Sequence, residues 1–144
     1  MKVRGAVAGV HGVLALVHVY WATGVTWPAG DQRVLSEAVL GRVVSFAPGV
    51  VLPLAALHLV LGAAVLASGR YRVARLVMGG LVAGLGARAA AGVVWALGIG
   101  ADLGSAFYWL NLVVYTPACL VLLVADLRLL SAGRVKALVG DSRG

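Results

Sequence analysis

The chain has 144 residues, of which 62% are hydrophobic and only 12% charged, whereas soluble domains average about 25% charged residues. This composition excludes an ordinary soluble domain and predicts one membrane domain over residues 1–144. A formal charge of +7 would favour a nucleic-acid partner in a soluble protein, but here the bases lie at the ends of apolar segments, so we expect no nucleic-acid partner. The single cysteine, Cys119, excludes an intrachain disulfide and a Cys-x-x-Cys redox pair.

Four apolar segments have the length that crosses a bilayer, about 20 residues each. They are predicted at residues 5–26, 47–68, 76–99 and 107–130. Nine bases lie at the ends of these segments on one side of the membrane and two on the other. By the positive-inside rule, this asymmetry predicts that both termini are cytoplasmic. The predicted fold class is therefore an all-α membrane protein, a four-transmembrane-helix bundle. The nine bases include three after the last segment: Arg134, Lys136 and Arg143.

The first outer connection, residues 28–46, contains a short amphipathic segment. Its apolar positions share one helical face: Val34, Leu35, Ala38, Val39 and Val43. Arg33 and Glu37 flank that face. The pattern predicts a short amphipathic helix that lies on the membrane surface or folds over the mouth of the bundle as a lid. The sequence leaves open whether Asp31 and Glu37 fold into a pocket there.

The third segment carries a charged residue, Arg88, near its middle. Read as a helix, Gly80, Gly84, Arg88 and Gly92 recur every four residues, and Trp95 lies on the same side. Small residues at that spacing let a neighbouring backbone approach closely inside a membrane. A charge at that depth costs at least about 2.5–3.5 kcal/mol on insertion scales. We therefore expect Arg88 to point into the protein and to mark a polar pocket.

Other polar residues lie at membrane depth on the remaining segments. His18 and His58 are near the same depth on the first two segments, and histidine can donate or accept a proton near neutral pH. On the fourth segment, Tyr108, Asn111 and Tyr115 form a polar stripe on one helical face. Because only two histidines share a depth, the sequence predicts no metal site. The pocket is expected to open towards the outer leaflet, beneath the amphipathic helix.

Two strings resemble a known family. HVYWATG, residues 18–24, and YTPACL, residues 115–120, are similar to two motifs of an uncharacterised (domain of unknown function) family of small bacterial four-helix integral membrane proteins. The family motifs are His-x-Tyr-Trp-Ala-x-Gly in helix one and Tyr-Ser/Thr-Pro-x-Cys-Leu in helix four, and this chain has Thr116 where serine is usual. A lone arginine late in helix three, matched by Arg88, is also typical. The resemblance implies a multi-pass protein of the bacterial cytoplasmic (inner) membrane, but no activity.

The pattern of polar residues favours an intramembrane enzyme. It would act by cofactor-free acid–base chemistry (isomerisation, cyclisation or hydrolytic ring opening) on a lipophilic small molecule in an outward-opening pocket around Arg88. The expected catalytic residues are Arg88, His18, His58, Glu37 and Tyr115. The expected substrate-binding residues are Asn111, Trp21, Trp95, Tyr108 and Asp31.

Two alternatives remain open at this stage. The same pocket would serve a non-catalytic binder or carrier of a lipid or isoprenoid. The glycine-rich third segment would equally suit an accessory subunit of a larger membrane complex, or a homo-oligomer, in which Gly80 and Gly84 pack against another chain. In every case we expect membrane lipid and a lipophilic small molecule or a membrane subunit as partners, and no cofactor.

Overall fold

The computed structural model describes residues 2–141, with side chains for residues 2–132. Of the bases that predict the orientation, Arg143 and the side chains of Arg134 and Lys136 lie outside this part. The described residues form helices and connecting turns, with no strand. In chain order the helices are α1 (Lys2–Ala22), α2 (Gln32–Leu40), α3 (Pro48–Ala67), α4 (Arg72–Ala96), α5 (Ala106–Leu110), a π-helical turn (Asn111–Tyr115) and α6 (Thr116–Asp141).

Within the described residues, four helical segments are long and apolar enough to cross a membrane. They are Lys2–Ala22, Pro48–Ala67, Arg72–Ala96 and Ala106–Ala132. The last combines α5, the π-helical turn and most of α6. The predicted all-α class with four apolar spans is confirmed, while the orientation of the termini stays a prediction. The first span ends before the predicted limit at residue 26, because the chain turns at Gly24, which takes a φ of 88°.

The spans pack as two antiparallel pairs, α1 with α3 and α4 with α6, and α3 also contacts α4. Gly62 allows the first pair to approach closely: a Cβ at this position would lie 3.4 Å from the carbonyl oxygen of Ala8. An apolar cluster of Val7, Val65 and Met78 joins the two pairs near one end of the bundle. We call this the basic end, because its described bases are Lys2, Arg4, Arg70, Arg72, Arg75 and Arg128.

The opposite end, here the lid end, is covered by α2. Asp31 caps this helix, accepting a hydrogen bond from the backbone N–H of Val34 at 2.8 Å. Leu35 packs with Phe46 and Val51 over the α1–α3 pair. The predicted amphipathic helix is therefore present, and its apolar face covers the end of the bundle.

Gly41, which follows α2, brings the lid against the α4–α6 pair. It takes a positive φ of 72°, and a Cβ at this position would lie 2.9 Å from the Phe107 ring. Ser36, fully buried on α2, donates to the carbonyl of Arg42 at 2.8 Å and accepts from the N–H of Val44 at 2.7 Å. These two hydrogen bonds fix the backbone that follows the lid. Glycine at position 41 is required for both conformation and space.

The fourth span is interrupted by the π-helical turn before Pro117. Proline has no N–H to donate to the preceding turn, and its ring collides with the carbonyl of residue i−4 in a regular helix. The wider turn over Asn111–Tyr115 accommodates this, and such turns are frequent at functional sites. It leaves Asn111 fully buried against α4.

The glycines of α4 do not all make close contacts. A Cβ at Gly92 would overlap the hydroxyl of Thr116, so α4 and α6 approach each other closely there. At Gly80 and Gly84 no described atom lies within 4 Å of such a Cβ. The expected close approach along the whole series therefore occurs at Gly92 alone.

Candidate functional site

A hydrogen-bonded group between α4 and the fourth span surrounds Arg88. The Arg88 Nη2 donates to Oδ1 of Asn111 at 3.0 Å, and the hydroxyl of Thr116 donates to the same oxygen at 3.1 Å. The amide nitrogen of Asn111 donates to the carbonyl of Gly92 at 2.9 Å. The guanidinium carbon of Arg88 also lies 5.2 Å from the centroid of the Trp95 ring, within the range of a cation–π interaction. We call these five residues the guanidinium cluster.

The guanidinium cluster has one buried donor without an acceptor and no compensating negative charge among the described side chains. The Nη1 of Arg88 is buried and has no hydrogen-bond partner among the described residues. The ion pair that the described side chains form joins Arg33 to Glu37 on α2, so no described carboxylate pairs with Arg88. A buried charge without a counter-ion is costly, and a buried donor without an acceptor adds to that cost. This position therefore suits an oxygen-bearing or anionic group from outside the described side chains.

The two tyrosines of the predicted polar stripe flank the guanidinium cluster and hold neighbouring backbone. The hydroxyl of Tyr108 donates to the carbonyl of Ala96 at 3.2 Å, at the end of α4. The hydroxyl of Tyr115 lies 3.5 Å from the carbonyl of Ala38 on the lid, a long hydrogen bond. Tyr115 thus links the fourth span to the underside of α2 through a polar contact.

A groove of about 550 Å3 opens at the lid end beside the guanidinium cluster. Trp95 and Phe107 line it, their rings packed edge to face with centroids 5.2 Å apart. Arg88 itself does not line the groove, and Trp95 is the residue that contacts both the groove and the guanidinium. The remaining walls come from the lid and the α4–α5 connection: Glu37, Leu40, Gly41, Arg42, Val43, Gly100, Ala101, Asp102 and Ser105.

The histidines form a second group, between α1 and α3. The Nδ1 atoms of His11 and His58 are 3.1 Å apart, so one donates to the other. The ring of His18 lies 5.2 Å from that of His58, and its Nδ1 donates to the carbonyl of Leu14 at 2.7 Å. We call His11, His18 and His58 the histidine cluster. Within the described residues, no three His, Cys, Asp or Glu side chains are arranged to hold a metal ion.

Trp21 continues the histidine cluster towards the lid. Its ring packs edge to face on His18 and on Phe46, with centroid distances of 5.8 and 5.4 Å. Its indole nitrogen donates to the carbonyl of Trp27 at 3.4 Å. Trp21 thus contacts the histidine cluster on one side and the core beneath α2 on the other.

The two acidic candidates of the lid lie on its exposed side. The carboxylate of Asp31 caps α2, and Glu37 accepts from Nε of Arg33 at 3.0 Å. Glu37 also lines the groove near Trp95, whereas Asp31 does not. Of the two, only Glu37 is placed where a ligand in the groove would meet it.

The structure brings the predicted residues together in two groups rather than one. Arg88, Asn111 and Trp95 are in contact, and His18, His58 and Trp21 are in contact. Among the described side chains, no hydrogen bond or ring contact joins the guanidinium cluster to the histidine cluster. Both groups lie beneath α2, which packs on both pairs of spans.

Sequence reasoning missed three buried polar residues. His11 was not among the expected site residues, yet it pairs with His58; its spacing of one heptad from His18 was the available signal. Thr116 completes the hydrogen bonding of Asn111, and its place within the Tyr-Thr-Pro string could have marked it. Asp126, on α6, is fully buried, and no described residue hydrogen-bonds to either of its carboxylate oxygens. No sequence pattern distinguishes this aspartate from one facing water at the end of the span.

Four apolar spans in two pairs, a covering helix and buried polar clusters define a multi-pass membrane protein with a polar interior. Residues 11–125 match a family described as "Protein of unknown function (DUF3995)", and the chain belongs to this family. No curated protein and no solved structure gives a significant match to the chain. The family is one of unknown function, so the activity has to be argued from the site.

Proposed function

We propose that the protein binds a lipophilic small molecule by an oxygen-bearing polar end, anionic or carbonyl, held by Arg88. The observation that carries this proposal is the buried Nη1 of Arg88, for which the part of the chain that the structure describes supplies no hydrogen-bond partner. The other terminal nitrogen of the guanidinium, Nη2, is held in place by its hydrogen bond to Asn111. The guanidinium is therefore already oriented, and a ligand oxygen that reached Nη1 would complete its hydrogen bonds.

The surroundings of Arg88 support a ligand that is mostly apolar. The groove beside it is lined by two aromatic rings, Trp95 and Phe107, which offer apolar contact area. Binding would require the Trp95 ring to swing away from Arg88, which opens a path from the groove to Nη1. The predicted orientation makes the lid end the outer end of the bundle in the bacterial cytoplasmic membrane, so such a ligand would enter from the outer leaflet or the outer surface.

Acid–base catalysis on the bound molecule is the second candidate function. The histidine cluster favours it, because the ring of His58 contacts two further ionisable rings, those of His11 and His18. In this version Arg88 polarises a substrate oxygen while His18 or His58 transfers a proton, as in the isomerisation, cyclisation or ring opening considered above. This candidate function requires the ligand to extend from the guanidinium cluster to the histidine cluster beneath the lid.

Native mass spectrometry of the detergent-purified protein tests the binding proposal, with extraction and identification of the small molecules carried. The wild-type protein is compared with Arg88→Gln and with a matched control, Arg33→Gln, which removes an exposed arginine of the lid. We expect one defined lipophilic compound at near-stoichiometric amount in the wild type and the control, and its loss from Arg88→Gln. Thermal unfolding of each variant shows whether the fold is intact.

A second variant distinguishes loss of ligand binding from loss of folding. Arg88→Lys keeps the charge but offers a compact ammonium, so it should retain the compound at reduced occupancy. Full retention by a folded Arg88→Gln protein would refute the proposal. So would a wild-type protein that carries only bulk phospholipid, or one that purifies with a second polypeptide, which is the result expected of an accessory subunit.

A histidine variant distinguishes catalysis from binding without catalysis. His58→Asn should retain the bound compound in both cases, because His58 does not contact the guanidinium cluster. If the protein is an enzyme, the wild type should convert the identified compound and His58→Asn should not. A compound that remains unchanged in the wild-type protein would support a binder or carrier.

A further inference from the structure

A second groove lies at the basic end of the bundle, far from the guanidinium cluster. It has a volume of about 360 Å3 and is lined by Arg72, Arg75, Leu76 and Gly79 of α4 and by Leu130 of α6. Arg75 precedes Arg88 by 13 positions on the same helix, a distance of about 20 Å along the helix axis. The two sites are therefore separate.

The groove is charged at its end and apolar along its floor. Arg72 is the first residue of α4, and Arg75, Leu76 and Gly79 follow at the spacing that places them on the same helical face. Gly79 lies about 10 Å further into the membrane than Arg72. At Gly79 no described atom lies within 4 Å of the position of a Cβ, so the floor is open.

Neither arginine of the groove has a carboxylate partner among the described side chains, since the ion pair found there joins Arg33 and Glu37 at the lid end. Two adjacent guanidinium groups beside an apolar floor match a molecule with an anionic head and a hydrocarbon chain. Basic pockets between spanning helices bind the headgroups of anionic lipids in this way.

We propose that this groove binds an anionic phospholipid, with its phosphate on Arg72 and Arg75 and the first part of an acyl chain over Leu76, Gly79 and Leu130. Free phosphate would leave the apolar floor uncovered. A parallel second copy packed through this face would bring the four arginines of the two copies together, and like charges repel. A phospholipid satisfies both the charge and the apolar surface.

The groove on the other side of α6 provides an internal comparison. It has a volume of about 490 Å3 and a single arginine, Arg128, above an apolar lining from α1 and α6: Val3, Leu120, Val121, Val124, Ala125 and Leu129. With one base, it should accept lipid chains with less preference for the headgroup. The preference for an anionic head is therefore expected to depend on Arg72 and Arg75.

The test is a titration of the delipidated full-length protein in detergent with dioleoylphosphatidylglycerol or dioleoylphosphatidylcholine, with bound lipid counted by native mass spectrometry. The variants are Arg72→Gln/Arg75→Gln and a matched control, Arg70→Gln, from the same connection. Each surface base contributes roughly fivefold to the binding of an anionic lipid, so the double variant should weaken the tightest phosphatidylglycerol site by more than tenfold. Phosphatidylcholine binding should not change, and the control should lose much less.

Gly79→Leu tests the apolar floor without changing any charge. The open space at Gly79 accepts a larger side chain without collision, and leucine favours the helix, so this variant should fold. We expect it to weaken phosphatidylglycerol binding several-fold by filling the groove. Unaltered binding in Gly79→Leu, or equal losses in Arg70→Gln and the double variant, would show general surface attraction and overturn the proposal.

Two further results would also overturn it. Displacement of phosphatidylglycerol by equimolar inorganic phosphate would mean that the groove recognises phosphate alone. Loss of a dimer in Gly79→Leu, with lipid binding intact, would mean that a second copy covers this face. Because Arg88→Gln leaves the groove unchanged, it should bind phosphatidylglycerol as the wild type does, so failure of the ligand proposal at Arg88 is distinguishable from failure here.

Discussion

The two pairs of spans hold their polar groups in different ways. In the α4–α6 pair, Arg88 carries a permanent charge and is held by Asn111, which is itself held by Thr116 and the carbonyl of Gly92. In the α1–α3 pair, the three histidines are held by one mutual hydrogen bond, one bond to backbone and ring contacts. A guanidinium cannot lose its charge, so it needs fixed acceptors, whereas an imidazole can remain neutral inside a membrane.

This difference suits the two pairs to different parts of the proposed function. The guanidinium cluster is suited to hold one group in one place, which is the requirement for binding. The histidine cluster is suited to gain and release protons, which is the requirement for acid–base chemistry. The lid contacts both, through Leu35 on one side and Gly41 on the other.

The largest effect on stability is expected at the centre of the guanidinium cluster. Asn111→Ala leaves the Arg88 Nη2 and the hydroxyl of Thr116 without the Asn111 oxygen, and each buried unpaired group costs about 1–3 kcal/mol; it also removes the hydrogen bond to the carbonyl of Gly92. We expect a loss of at least about 3 kcal/mol, measured by unfolding in detergent. Asn111→Asp, which supplies a carboxylate to Arg88, should recover a substantial part. Equal losses in the two variants would contradict the assigned role of the Asn111 oxygen.

A smaller loss is expected from filling the contact between α4 and α6. Gly92→Ala places a methyl group against Thr116 and 3.0 Å from the Nη1 of Arg88, and overpacking of this kind costs about 1–3 kcal/mol. The control is Gly84→Ala, two turns away on the same helix, where space is open. It should be neutral or stabilise the helix by up to about 1 kcal/mol. Similar unfolding midpoints for the two variants would show that Gly92 is not a close contact.

The histidine cluster should respond more weakly to mutation. A double-mutant cycle with His11→Phe and His58→Phe should give a coupling energy of about 0.6 kcal/mol, the usual size for polar pairs between membrane helices. The same cycle for His18 and Asn111, which do not contact each other, serves as the control and should give none. A coupling energy above about 2 kcal/mol between His11 and His58 would mean that the histidine cluster is held as tightly as the guanidinium cluster.

The smallest effect is expected on the exposed side of the lid. Glu37→Gln removes the ion pair with Arg33, and exposed pairs at this helical spacing contribute about 0.3–0.5 kcal/mol. The unfolding midpoint should barely move. Retention of the bound compound is the informative readout: a loss in Glu37→Gln but not in Arg33→Gln would place the ligand against Glu37 in the groove.

Much of the candidate site could be predicted from residue type and depth. Arg88, Asn111 and Trp95 were chosen because a charge and an amide are too costly to face lipid, and the structure places them in contact. Glu37 and Asp31 were chosen as the acidic residues of the predicted lid. One pairs with Arg33 and the other caps a helix, local roles that follow from their neighbours on α2 rather than from a pocket.

Helical periodicity did not show which positions on one face of a helix contact a neighbouring helix. The series Gly80, Gly84 and Gly92 has one spacing, yet only Gly92 meets another helix, because α6 approaches α4 there and not at the other two. His11 was not among the expected site residues, because the spacing along one helix does not reveal which side chain of a neighbouring helix lies opposite.

The amino-acid sequence alone determined the all-α class, the four apolar spans, the amphipathic helix over the end of the bundle and the membership of the family. These follow from the length, apolarity and periodicity of single segments, which are local properties of the chain. Only the tertiary structure decided that the arginine and the histidines form two clusters, and that Nη1 of Arg88 and the carboxylate of Asp126 lack partners among the described residues. Those features depend on which faces of separate helices meet, and the packing of one helix on another is set by all of them together.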